Sequence, residues 1–155
     1  MVSYKKIFKN STWIVPAKTL LAYQTIGNTS VPVSDQTVWK ITEYKKGYIF
    51  GTSYATINQT PAAKMSLVGS IDSENNVLIT FYSDSSSIAG FGELKHHKDK
   101  YWFVMQMNSL STINSARLIV SHWSYMISVK PSDSNYQKLP GFDDTSVPEF
   151  IELFD

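Results

Sequence analysis

The chain has 155 residues, a formal net charge of +1 and no cysteine. That length suits one domain with a real core. The missing thiols exclude disulfides, thiolate metal sites and a cysteine nucleophile.

Aromatic residues are frequent, with 4 Trp, 9 Tyr and 8 Phe, while only 17% of residues are charged. Aromatics and threonine fit pleated surfaces, so the composition points to β structure. The near-neutral charge and the single arginine, Arg117, argue against a nucleic-acid partner, which calls for basic patches and bidentate guanidinium contacts. Charge is mildly uneven: the last twenty residues, from Tyr136, sum to −4 and the rest to +5. The N-terminal stretch MVSYKKIFKNSTWIVPAK has no apolar run long enough for a signal-peptide core. No stretch of about 18 apolar residues occurs, so no membrane span is expected. The expected compartment of the chain as written is the cytoplasm, with a secreted mature form left open. Asn10, Asn28 and Asn58 each begin an N-x-S/T triplet, which matters only for a secreted protein.

In chain order, Ser11 to Val15 (STWIV) reads as a strand that stops at Pro16. AKTLLAYQ fits two turns of helix or a strand, and its strand formers favour the strand. Gly27 to Asp35 (GNTSVPVSD) reads as loop by composition. QTVWKITEY, Gln36 to Tyr44, alternates, with Trp39 and Ile41 on one face. Lys45-Lys46-Gly47 is a tight-turn signal. From Tyr48 to Ile57 two rows alternate: Tyr48, Phe50, Thr52, Tyr54 and Thr56 against the mostly small Ile49, Gly51, Ser53, Ala55 and Ile57. The small row suits a curved wall or a close neighbour, with Gly51 marking a bend.

Asn58 to Ala63 reads as a loop and Lys64 to Asp72 as a strand. Asp72 to Asn76 is a turn, and Val77 to Tyr82 (VLITFY) is a strand. Further strands follow at Ser87 to Leu94 and at Tyr101 to Met107, joined by the charged tip Lys95 to Lys100 (KHHKDK). Asn108 to Asn114 reads as a polar loop. Ser115 to Val129 is one long strand, or two broken near Ser121. Seven to nine strands spaced about ten residues apart predict an all-β fold. The expected architecture is a single antiparallel meander β-barrel of about eight strands, spanning residues 11–129 of one 155-residue domain. After Pro131 the chain turns loop-like. Ser146-Val147-Pro148-Glu149 fits a capping box, so residues 145–154 are expected to form a short C-terminal helix docked on the barrel or across its mouth.

The stretch GYIFGTSYATI, a loop, then KMSLVGSIDS resembles the second and third strands of the avidin and streptavidin family. Gly47, Gly51, Thr52, Leu67 and Gly69 stand at fitting places, and the resemblance covers Thr37 to Met107, about half the chain. It implies a calycin-like barrel of the kind shared with lipocalins, able to hold a small ligand. Carried over, Tyr54 and Thr56 stand for hydrogen-bonding residues of the family's ligand site. The tryptophan expected near Gly90 is missing, Met107 replaces another ligand-stacking tryptophan, and the family's late aspartate has no counterpart. The resemblance therefore does not imply biotin as ligand.

His96-His97 with Asp99 could ligate a metal, but adjacent strand or turn histidines point apart and Lys95, Lys98 and Lys100 repel a cation; a solvated hairpin tip is the favoured reading. His122 shares an extended face with Leu118, Val120 and Met126, as a hydrogen-bonded core residue or as the polar anchor of a cavity. Arg117, Trp123 and Tyr125 lie on the opposite face, as an outer wall or as a partner patch. Asp143 and Asp144 are explained by their place before a helix start. No phosphate loop, nucleophile elbow, HExxH or EF-hand pattern occurs, so neither cofactor nor metal is expected.

The leading expectation is a non-catalytic binder of a small hydrophobic or amphipathic molecule inside the barrel. Tyr54, Thr56, Met105, Met107 and His122 are its candidate lining. The alternative is a protein-interaction module with a filled barrel, using Arg117, Trp123 and Tyr125. Third comes an enzyme with His122 as base and Tyr54 as acid. Oligomeric state is open, and a homo-oligomer is compatible with all three.

Overall fold

The fold is described from a computed structural model, covering residues 3–16, 21–84, 86–113 and 116–155; the side chains of 21 and 105–124 are also outside the description. Among the described residues nine strands follow one another: β1 (Ser11–Ile14), β2 (Leu21–Ile26), β3 (Thr29–Lys45), β4 (Tyr48–Ile57), β5 (Thr60–Ile71), β6 (Asn76–Tyr82), β7 (Ser87–His97), β8 (Lys100–Ile113) and β9 (Ala116–Val129). Three short helices accompany them: α1 (Tyr4–Phe8), α2 (Ser134–Gln137) and α3 (Val147–Glu152).

Every strand pairing is antiparallel, and from β3 to β9 each strand pairs with the next. The ring closes through the two short first strands. β1 pairs with β3 and β9, and so does β2 further along the same two strands. β1 and β2 thus share one stave, and nine strands build a closed eight-stave meander barrel. Closure removes the two long edges of an open sheet, leaving free flanks only where a strand overruns its neighbour, as β3 does at Thr29 to Ser34 among the described residues.

Local chemistry accounts for the turns. Lys46 (φ 49°) and Gly47 (φ 92°) both take positive φ, the two-residue hairpin geometry that matches strand twist. Asn58 (φ 48°) and Gln59 (φ 67°) do the same. Gly51 is required by a close approach, since a Cβ there would sit 2.1 Å from the Lys40 carbonyl oxygen. The register between β3 and β4 shifts beside it, between Ile41 and Glu43.

Three expected loops are corrected. Residues 29–35 belong to β3, with Thr29 to Ser34 paired to β2. Pro32 is tolerated because β4 pairs with β3 only from Asp35 onward, leaving one flank of β3 free of a partner there. The loop at 58–63 shrinks to its two-residue turn, and β5 absorbs the proline-bearing segment through a register irregularity between Ala55 and Thr56 of β4. Residues 108–113 continue β8, paired as far as Ile113 with Ala116. The stretch 116–129 is one unbroken strand.

Strand alternation sends one row inward and one outward. The inner cluster includes Trp13, Trp39, Ile49, Leu67, Ile79, Phe81, Phe103 and Met126. The outer row carries Ile14, Val38, Ile127 and Val129, which pack against Leu139, Val147 and Phe150 of the C-terminal segment. The expected capping box is present: Ser146 Oγ accepts from the Glu149 amide, and the Glu149 carboxylate accepts from the Ser146 amide at 2.8 Å. The C-terminal helix lies on the outer wall, with Lys64 Nζ reaching Asp155 at 3.1 Å.

Candidate functional site

The barrel interior changes character along its axis. At one end α1 turns inward and delivers Phe8, fully buried. Its ring centroid lies 5.9 Å from Trp13, 5.7 Å from Phe103 and 6.0 Å from Tyr44. Trp13 and Phe103 stand 4.5 Å apart, and Trp39 completes the group at 5.4 Å from Phe81 and 5.5 Å from Phe103. Tyr4 pins the helix by donating to Asn75 Oδ1 at 2.7 Å and the Asp72 carbonyl at 3.1 Å. Aromatic pairs contribute about 0.5–1.5 kcal/mol each beyond area burial, so this end is a packed plug.

Beyond Trp39 the inward row becomes small and polar. On β3 it continues through Thr37, Asp35 and Val33, and the Thr37 hydroxyl donates to Asp35 Oδ1 at 2.7 Å. Register sets Ser53 beside Trp39 and Ala55 beside Thr37. It also sets Ala63 beside Ala55, Ala22 beside Val33 and Gly90 beside Ile79. Ser53, Thr37, Ala22 and Val33 are all buried. One more polar group belongs to this core: the indole Nε1 of the buried Trp39 has no hydrogen-bond partner among the described residues. Such an orphan N–H costs about 1–3 kcal/mol, and buried polar atoms normally find a protein or water acceptor.

The residues expected to line the interior are divided. Tyr54 stands opposite Val38 in the outer row. Its ring meets Phe154 edge-on at 5.5 Å, and Lys64 Nζ lies 5.8 Å from its centroid. Thr56 stands opposite Gln36 and donates to the Gln36 carbonyl at 3.3 Å. Gln36 in turn donates to the Val15 carbonyl and accepts from the Gly141 amide at 2.7 Å. Tyr54 and Thr56 therefore seat the C-terminal segment on the wall; the inward row of β4 is the small one, Ile49 to Ala55. Met105, Met107 and His122 lie among the residues whose side chains are outside the description. Backbone register pairs Met107 with His122, and His122 with Ala22. Of the outer patch, the side chains of Arg117 and Trp123 also lie outside the description. Tyr125 is exposed and meets Trp102 edge-on at 6.1 Å.

Sequence reasoning passed over Asp35, Thr37, Ser53 and Trp39 as a set. Their signal was present: the alternation that puts Trp39 and Ile41 on one face extends back to Thr37 and Asp35.

Among the described residues, the titratable groups with shifted behaviour lie away from this row. Desolvation lowers the Lys40 pKa, and its ammonium donates to Thr12 Oγ1 at 2.9 Å. The Asp133 carboxyl is lowered by the hydrogen bond from Lys100 Nζ, 2.9 Å away, and by the Lys130 amide. Asp72 is lowered by the Asn76 side chain and by the Asn76 and Glu74 amides. Among the described residues no group of three or more His, Asp or Glu is arranged to hold a metal, and no helix is long and apolar enough to cross a membrane. No protein-family model, curated protein or solved structure matches the chain.

Proposed function

We propose that the protein is a non-catalytic binder of a small hydrophobic or amphipathic molecule, taken up inside the barrel at the end away from α1. The observation that carries this reading is the change along the inward row, from the ring cluster of Phe8, Trp13, Trp39 and Phe103 to Thr37, Ser53, Ala55 and Ala22. An eight-stave barrel is wide enough either to be filled by side chains or to hold one small ligand. Small inward residues supply the room, and Thr37, Ser53 and the free Trp39 N–H supply orienting polar groups. The calycin-like, avidin-like kinship implied by Gly47 to Asp72 is part of the same proposal.

Native mass spectrometry of protein purified from its own host should reveal a bound small molecule. Titration with a long-chain fatty acid or a hydrophobic fluorophore should quench tryptophan emission saturably, and Ser53→Phe should abolish that quenching while the protein stays folded. No carried mass together with binding indifferent to Ser53→Phe would overturn the reading.

A second reading, a protein-interaction module, is favoured by one observation. Tyr48, Leu78 and Phe91 are 55%, 51% and 66% exposed on the outer wall, and register aligns Leu78 with Phe91 across β6 and β7. Adjacent exposed apolar side chains of this size mark interaction surfaces. Leu78→Glu with Phe91→Glu should disrupt any complex recovered from the host while leaving ligand uptake intact.

A further inference from the structure

The plugged end of the barrel carries a recess on its outer side, separate from the interior row. It measures about 590 Å³ and is formed where α1 and the end of β3 face the β7–β8 hairpin. Tyr4 and Tyr44 come from the first side, with ring centroids 6.1 Å apart. His96 and Tyr101 come from the hairpin, stacked at 4.6 Å with planes 26° apart. Lys5 and Lys95 are part of the same lining.

We propose that this recess binds a planar aromatic anion, an aromatic ring bearing a carboxylate or phosphate. The rings offer flat apolar faces, which take up a planar ring by offset stacking or edge contact. Aromatic faces also attract cations, so the charged groups decide the sign. None of the described residues lining the recess is acidic, whereas two are lysines. Of the carboxylates nearby, Glu93 and Asp72 are engaged, while Glu43 and Glu74 are chain neighbours of lining residues and are not part of the lining. Glu93 lies 3.5 Å from Lys95 Nζ, in a pair more than half exposed, which solvent screens and a better-placed anion can displace. Asp72 accepts from the Glu74 amide and from both nitrogens of Asn76. Tyr4 donates its hydroxyl to Asn75, which holds the ring of α1 in place before any ligand arrives and lowers the ordering cost of binding. The His96-His97 tip thus gains a role: one histidine supplies a stacking face instead of a metal ligand.

The test uses three probes of one shape on the full chain, followed by amide chemical shifts: naphthalene-2-carboxylate, naphthalene-2-methanol and 2-naphthylmethylammonium. The carboxylate should shift the amides of Tyr4, Tyr44, Lys95 and Tyr101 saturably and bind about tenfold more tightly than the ammonium. Adenosine monophosphate should compete with it, as the phosphate form of the same chemistry. Lys5→Glu with Lys95→Glu should reverse the preference. Both side chains are exposed, so this variant should unfold at the wild-type temperature. His96→Ala should weaken all three probes several-fold while keeping their order. Ser53→Phe, which tests the interior, should leave recess binding unchanged. Equal affinity for anion and cation, shifts centred on Thr37 and Ser53 instead, or no saturable shift would each overturn the proposal.

Discussion

The two ends of the barrel interior are built from the same strands and differ in what those strands point inward. Near α1 the inward positions are Phe8, Trp13, Trp39, Phe81 and Phe103, all nearly inaccessible to solvent. Toward the other end the same rows carry Thr37, Ser53, Ala55 and Ala63. In a domain whose net stability is only about 5–15 kcal/mol, the aromatic end is where a single truncation should weigh most.

Substitutions can break or sharpen this contrast. Phe103→Ala, in the filled end, should cost about 3–5 kcal/mol, read as a drop in the urea midpoint at unchanged slope. A loss under about 1 kcal/mol would mean that the aromatic cluster is not the anchor. Gly51→Ala should cost about 1–3 kcal/mol through overpacking, because the new methyl meets backbone at Lys40 and nothing there is free to move aside. Ser146→Ala removes the helix cap outside both ends and should cost about 1 kcal/mol, with ligand uptake unaffected. Ser53→Phe should cost less than about 1 kcal/mol if the far end has room, against about 1–3 for the same insertion into a filled core; thermal unfolding of the pair Ser53→Phe and Gly51→Ala gives the comparison directly.

The smallest effect concerns pH. The folded-state pKa of Asp133 is depressed, chiefly by Lys100. Its contribution is present above the ordinary carboxylate range and is lost as pH falls through the depressed folded value. Asp133→Asn should therefore remove part of the acid sensitivity of unfolding. The change at neutral pH should be about 0.5 kcal/mol or less, as for a partly exposed pair screened by solvent, and differential scanning calorimetry at pH 7 and pH 3 would read both.

Much of the barrel was legible because its strands are half-buried and punctuated. The alternation of QTVWKITEY, the Lys45-Lys46-Gly47 turn and the capping box at Ser146 are local signals, and each appears in the fold. Two things were not legible. Residues 29–35 have loop composition, yet they form strand because β2 lies beside them and their proline faces no partner on its other flank. The direction of the rows was also hidden. Alternation separates Tyr54 and Thr56 from Ser53 and Ala55 but does not say which pair faces in. Here both sides of the wall are covered, one by the core and one by Phe150 and Phe154 of the C-terminal segment, so both rows carry the marks of burial. The resemblance to the avidin family favoured Tyr54 and Thr56, whereas in the fold Tyr54 packs on the other side, against Phe154 of the docked C-terminal segment.

The split first stave sets the order in which the barrel can be made. Hairpins from β3 to β9 join near neighbours in the chain, but closure joins Thr12 to Val129 and Ala22 to His122, across about a hundred residues. Such contacts carry the greatest loop-closure entropy and are the slow step in folding β topologies. The seam is also built from the two shortest strands, four and six residues long. It should be the last part of the wall to zip and the first to exchange its amide hydrogens, so the protein should breathe along β1 and β2 before any hairpin opens.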